Sequence, residues 1–126
     1  MSDGETGPAE QYLRHLREGR FMLQRSRSSG AHLFYPRVAE PVTGATDLEW
    51  VPASGGGTVY AVTIQREKPP AEHGNIVLVD LDEGPRMMSR VTGIGPEDIH
   101  IGMRVRAQVI PEDPLPHVVF VREQAA

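Results

Sequence analysis

The sequence predicts a mainly β protein: an N-terminal helix, an irregular glycine-punctuated module, and a small, partly open Greek-key barrel of the OB type. Three observations predict it. Residues 8–19 carry helical periodicity between a proline and a glycine. Residues 23–47 hold two short turns, each ending in glycine, around a short apolar run. From Leu48 onward the pattern turns to short segments of period two, separated by turn residues and opened by the run Gly55-Gly56-Gly57.

The helix follows from its ends and one face. Pro8 suits a first helical turn, and Gly19 suits the left-handed conformation that closes a helix. Ala9, Tyr12, Leu13 and Leu16 share one face. So short a helix is stable only when docked. Beyond the module, LEWVPAS reads as a strand ending at Pro52, and GGGTVYAVTIQRE as a long one. In the latter, Val59, Ala61 and Thr63 alternate against Tyr60, Val62 and Ile64. KPPAEHG is expected as a loop, NIVLVDLDEG as a central strand, PRMMSRVTGI as a further strand, and PEDIHIG as a turn. MRVRAQVIPE alternates Met103, Val105, Ala107 and Val109 against Arg104, Arg106 and Gln108, and HVVFVRE closes the set. Strands at this spacing fit a sandwich or a small barrel. A glycine run at the start of a long strand lets it coil sharply, which favours the barrel.

A chain of 126 residues is one domain, or one small domain with an appendage. It contains no cysteine, which removes disulfides, iron–sulfur clusters, thiolate metal sites and a cysteine nucleophile. No stretch approaches the roughly 20 apolar residues of a membrane span. The acidic, polar start MSDGETGPAEQ is not a signal peptide, so a cytoplasmic location is expected. The net charge of −4 argues against a dedicated nucleic-acid binder. It is unevenly spread: residues 1–37 carry six Arg against four acidic side chains, and the remainder seven basic against thirteen acidic.

No self-sufficient active site is visible. None of Ser26, Ser28, Ser29, Ser54 and Ser89 sits in a nucleophile elbow. His15, His32, His73, His100 and His117 are scattered without metal-ligand spacing, and His32 with Glu40 would make only half a closed site. Asp80, Asp82 and Glu83 lie together at one strand end, where a solvated turn is the expected reading. Trp50, Tyr60 and Phe120 are candidate stacking platforms for single-stranded nucleic acid, with core packing the favoured reading.

These residues carry a resemblance to a family. Leu23-Gln24-Arg25-Ser26-Arg27-Ser28-Ser29-Gly30, Pro36-Arg37, and Glu40-Pro41-Val42-Thr43-Gly44 resemble the framework of a rubredoxin-like zinc ribbon. SGGGTVYAVT, VLVDLDEGPRMMSRV and IGMRVRA resemble the OB domain that follows it. Together they resemble the acyl-CoA-associated OB-fold proteins, long filed as a domain of unknown function. The resemblance places the four zinc-ligand positions at Ser26, Ser29, Glu40 and Thr43, so the ligands are lost and no zinc is expected. It implies a degenerate ribbon over 20–47, after a tail and helix over 1–19 and before an OB domain over 48–126. Turn hydrogen bonds from Ser26, Ser29 and Thr43, and packing of Leu33, Phe34 and Tyr35 on the OB domain, are expected to replace a metal worth about 10–16 kcal/mol.

The resemblance further implies a non-catalytic accessory subunit of an acyl-CoA-processing enzyme, with a thiolase-like or hydratase-like partner. Arg14, Arg17, Arg25, Arg27 and Arg37 are the residues expected to meet that partner or acyl-CoA, because guanidinium groups match carboxylates and phosphates. No tightly bound cofactor is expected, and a homodimer is compatible with the reading. Two alternatives stay open. One is an OB-type single-strand nucleic-acid module. The other is a free-standing enzyme on acyl-CoA thioesters, with Asp82, Glu83 or His73 as base.

Overall fold

A computed structural model describes residues 7–41, 43–66, 74–111 and 115–123. Of the loop expected over KPPAEHG, Lys68 to His73 lie outside the described residues, as does the tail ahead of Gly7, while Gly74 already belongs to a strand. The chain forms helix α1 (Pro8–Arg17) and strands β1 (Met22–Ser26), β2 (His32–Leu33), β3 (Leu48–Pro52), β4 (Gly56–Gln65), β5 (Gly74–Leu81), β6 (Arg86–Ser89), β7 (Val91–Thr92), β8 (Arg104–Ile110) and β9 (His117–Arg122). It divides into two compact units. The first holds the chain through Ser54 with Glu83–Pro85 and Val109–His117, and the second holds Gly55–Asp82, Arg86–Gln108 and the chain from Val118 on.

The helix forms as its ends dictate. Pro8 stands in its first turn, and Gly19 adopts φ 81° just past its end. There Gly19 N–H donates to Leu16 O (2.8 Å) and Arg20 N–H to His15 O (2.9 Å). This crossed pair satisfies carbonyls the helix leaves open. Leu16 is fully buried while Ala9 is exposed, so the docked face is narrower than the periodicity predicts.

Strands β2, β1 and β3 make a three-stranded antiparallel sheet. β3 pairs with β1 along its whole length, from Leu48 opposite Ser26 to Pro52 opposite Met22. β3 therefore belongs to the first unit's sheet, and the strand that the glycine run begins, β4, lies in the second unit.

In the second unit the strand order is β6-β5-β4-β8-β9-β7. The expected single strand over PRMMSRVTGI is broken at Arg90 into β6 and β7. Its first half pairs antiparallel with β5 and its second half parallel with β9, with Val91 opposite Phe120. One chain segment thus joins the two ends of the strand order, which is how a short sheet closes into an OB barrel. Phe120 N–H to Arg90 O (2.9 Å) and Ser89 Oγ to Val118 O (2.8 Å) bridge the break.

Val59, Val77, Val79, Met87, Val105 and Phe120 fill the interior. The alternation expected in β4 holds only up to Val59. A bulge between Val59 and Ala61 leaves Tyr60 without a partner in the β5 pairing, and Val62 then faces Val77. One extra residue inverts the phase of everything after it, so Val62 rather than Thr63 points inward. Alternation in β8 holds, with Val105 buried and Arg104 and Arg106 exposed.

The glycine run serves close approach. A Cβ on Gly57 would stand 2.5 Å from Val79 Cγ1 and 3.0 Å from Asp80 O. Arg104 holds Asp82 with two bonds, of 2.7 and 3.0 Å, and Glu123 accepts from Arg104 (3.3 Å) and Arg106 (3.2 Å).

Two outcomes follow. Gly57→Val is expected to destabilise the protein by about 1–3 kcal/mol through overpacking, measured by denaturant unfolding. Asp82→Asn is expected to cost less, under about 1 kcal/mol near neutral pH, because both partners are partly solvated and salt screens them. The Arg104 guanidinium holds the Asp82 carboxyl below its ordinary value of 3.8. The folded state therefore binds that proton less readily than the unfolded chain. The pair's contribution is present above the ordinary value and lost as pH falls below it. Unfolding of wild type and variant across pH 2–6, an interval of about two units on either side of the unfolded value, should converge at the acid end.

Candidate interaction site

The two glycine-ended turns have the same construction. In the first, Ser26 N–H donates to Ala31 O (2.9 Å), Gly30 N–H to Ser26 O (2.7 Å), and Ala31 N–H to Ser29 Oγ (3.2 Å). In the second, Glu40 N–H donates to Ala45 O (2.8 Å), Gly44 N–H to Glu40 O (2.8 Å), and Ala45 N–H to Thr43 Oγ1 (3.2 Å). Gly30 and Gly44 have φ of 78° and 72°, a conformation that favours glycine. The resemblance between the turns, read from spacing alone, is thus a resemblance of hydrogen bonds.

The side chains of the four predicted ligand positions come together. Glu40 is buried, and its carboxylate accepts from Ser29 Oγ (2.7 and 3.1 Å) and from Thr43 Oγ1 (2.7 Å). The Thr43 hydroxyl first, then that of Ser29, with Ser26 adding, hold the Glu40 carboxyl below its usual range. Ser26 is fully buried; its Oγ donates to Asp47 Oδ1 (3.4 Å) and accepts from Ser29 N–H (3.3 Å). Asp47 also accepts from Ser28. Among the described residues no group of three or more His, Asp or Glu is placed to hold a metal ion.

Between the turns, the chain from Phe34 to Ala39 is held from beneath. Gln24, buried in β1, accepts from Arg37 N–H (2.6 Å) and donates to Arg37 O (2.7 Å). One side-chain amide thereby fixes both backbone groups of one residue. The loop so fixed exposes Tyr35 (57%) and Val38 (72%), with the Arg37 side chain between them. Beside it lies a cleft of about 280 Å³, lined by Leu33, Phe34, Arg37, Glu40, Pro41 and Pro85. Packing of the aromatic run differs from expectation. Phe34 meets Tyr12 of α1 edge-on at 5.6 Å, and Tyr35 points largely to solvent. Tyr12 stacks on Trp50 at 6.4 Å, His15 leans on the same indole at 5.3 Å, and Trp50 Nε1 donates to Gln11 Oε1 (2.8 Å). Burial, with a smaller effect from Tyr35, pushes the Tyr12 phenol well above its ordinary value.

Two of the five predicted arginines share one acidic partner. Arg25 and Arg27 converge on Glu49, at 3.2 and 3.3 Å. Arg14 and Arg17 stand exposed on α1, and Arg37 in the loop. Gln24, Asp47 and Glu49 are residues that sequence reasoning missed. The signal for Asp47 and Glu49 was present as clustered serines and arginines lacking named acceptors.

The alternative chemistries find their groups engaged. Asp80, expected in a solvated turn, is bound to Arg86 (2.6 Å), and Asp82 to Arg104. Glu83 accepts from Ser54 N–H (2.6 Å). Of the aromatics, Phe120 is core, Trp50 is bound to Gln11, and Tyr60 is half exposed under Arg86, 3.4 Å from its ring. Core packing thus describes Phe120 and not Tyr60.

Comparison with known proteins places this geometry. Residues 50–109 match the family model described as the C-terminal OB-fold domain of ChsH2. A DUF35 domain-containing scaffold protein of Pyrococcus furiosus is 33% identical over 107 residues, covering 81% of this chain and 78% of that protein. A probable enoyl-CoA hydratase alpha subunit of Thermomonospora curvata is 34% identical over 101 residues, but the chain spans only 32% of it. Among solved structures, a chain of the Ltp2-ChsH2(DUF35) aldolase superposes with a TM-score of 0.81 at 28% identity, covering 96% of this chain and 98% of that one. With an N-terminal helix, a mainly β chain and an OB barrel at its end, this protein belongs to the DUF35 family.

Proposed function

We propose that this chain is a non-catalytic accessory subunit of an acyl-CoA-processing enzyme, and that it docks on that enzyme through the loop Tyr35–Val38. The observation that carries the reading is the loop's anchorage. A buried glutamine spends its whole amide on Arg37's backbone, while an aromatic, a cationic and a branched apolar side chain stay outside. Tyr and Arg are the residue types that anchor protein interfaces. A loop already fixed in shape loses little freedom on binding, which favours affinity.

The relatives support the partner's class. One bears the name of a scaffold protein, one that of an enoyl-CoA hydratase subunit, and one is part of an aldolase complex. A thiolase-like or hydratase-like enzyme is the proposed partner. Acyl-CoA remains the proposed small ligand, with Arg14, Arg17 and Arg37 as its candidate phosphate contacts. The engagement of Asp80, Asp82 and Glu83 supports a binding rather than a catalytic role.

Affinity capture of the tagged chain from its native extract, with wild type beside Arg37→Glu, tests the reading. An acyl-CoA enzyme in stoichiometric amount, lost in the variant, is the expected result. Capture of nucleic-acid proteins alone, or thioester turnover by the purified chain without a partner, would overturn it. Gln24→Ala should weaken the same capture although Gln24 is buried. It should also cost about 1–3 kcal/mol of stability, since Arg37's backbone groups lose their partner.

A further inference from the structure

We infer that the Glu40 carboxylate takes the structural place that a metal ion holds in a ribbon of this shape, so that both turns are closed without zinc. The four positions facing the shared centre are two serines, one threonine and one glutamate. Structural zinc takes thiolates and imidazoles, in sets of four. A neutral hydroxyl is a poor substitute for a thiolate, and one carboxylate among three hydroxyls leaves a divalent ion with little charge to meet. The donor set therefore does not fit zinc. It fits an anion: hydroxyls of Ser29 and Thr43 point their protons at Glu40.

The carboxylate does what a ligated metal does. It belongs to the second turn, since Glu40 opens that turn, and it accepts a bond from Thr43 within it and from Ser29 in the first. One group thus links two segments eleven residues apart along the chain. Hydrogen bonds to an ionised acceptor are stronger than neutral ones. Asp47 is itself occupied by Ser26 and Ser28. The hydroxyls of Ser29 and Thr43 are held in turn by the amides of Ala31 and Ala45, which fixes the direction in which each hydroxyl meets the carboxylate. The consequence is a fold indifferent to chelators and thiol oxidants, both of which dismantle thiolate sites. This inference does not depend on the accessory-subunit reading.

The test uses the full-length protein grown with added zinc, and reads metal content together with amide hydrogen exchange at Gly30 and Gly44. No stoichiometric zinc is expected, and a chelator should leave both amides unchanged. Glu40→Ala should speed exchange at both by about tenfold or more, as loss of a charge-assisted acceptor implies, with the barrel amides of Val59 and Phe120 unaffected. Glu40→Gln, which keeps one acceptor, should fall between. If Glu40→Ala does not fold, Ser29→Ala and Thr43→Ala each remove one donor and are read at the same amides. Stoichiometric zinc whose removal speeds exchange at Gly30 and Gly44 would overturn the inference. So would unchanged exchange in Glu40→Ala, or in both hydroxyl variants.

Discussion

Two irregular turns can hold a loop in a fixed place only if something joins them, and here that joint is the Glu40 carboxylate. Each turn closes its own backbone through a glycine at positive φ and a hydroxyl that caps an amide. Such bonds shape a turn but do not tie it to another. Glu40 supplies the tie, because a carboxylate can accept several protons at once and both its oxygens are used. The chain between the turns is then pinned at both ends by the joint and in the middle by Gln24. The exposed side chains of Tyr35 and Val38 rest on that three-point support.

An aromatic chain carries the same support into the helix. Phe34 meets Tyr12, Tyr12 meets Trp50, and Trp50 meets His15. These rings lie at separations where aromatic pairs contribute beyond their buried area. Trp50 also has its polar end satisfied by Gln11, so the indole bonds to the helix as well as packing on it. A ten-residue helix has little stability of its own, and here it gains a buried Leu16 and an aromatic face.

How much of this was legible varies with the range of the interaction. The ends of α1 were readable because proline and glycine act through local backbone geometry. The alternation of β8 was readable because each residue keeps its own face. The inversion in β4 was not, since a bulge at Tyr60 is decided by the partner strand and leaves no mark in composition. The break at Arg90 was hidden for the same reason: its two halves take different partners. At the candidate site, the family resemblance singled out Ser26, Ser29, Glu40 and Thr43 but not what they do. Seeing Glu40 as the centre rather than one corner requires knowing that Ser29 and Thr43 reach it. The pairing of Arg25 and Arg27 with Glu49 likewise depends on β1 lying beside β3.

The first unit takes in β3 as well as the two turns and runs on through Ser54. A module of fewer than thirty residues has too little interior to be stable alone without staples. A handful of hydroxyl bonds to one carboxylate does not match the roughly 10–16 kcal/mol of a structural zinc. The shortfall has to be met by burial and by backbone pairing. β3 supplies both: five residues in register with β1, the indole of Trp50, and the carboxylate that holds two arginines. Helix α1 completes the unit from the other end of the sequence. The carboxylate joint and the flanking structure are therefore two sides of one constraint. A carboxylate joint can set the geometry of the two turns, provided that neighbouring strand and helix supply the stability a metal would have given.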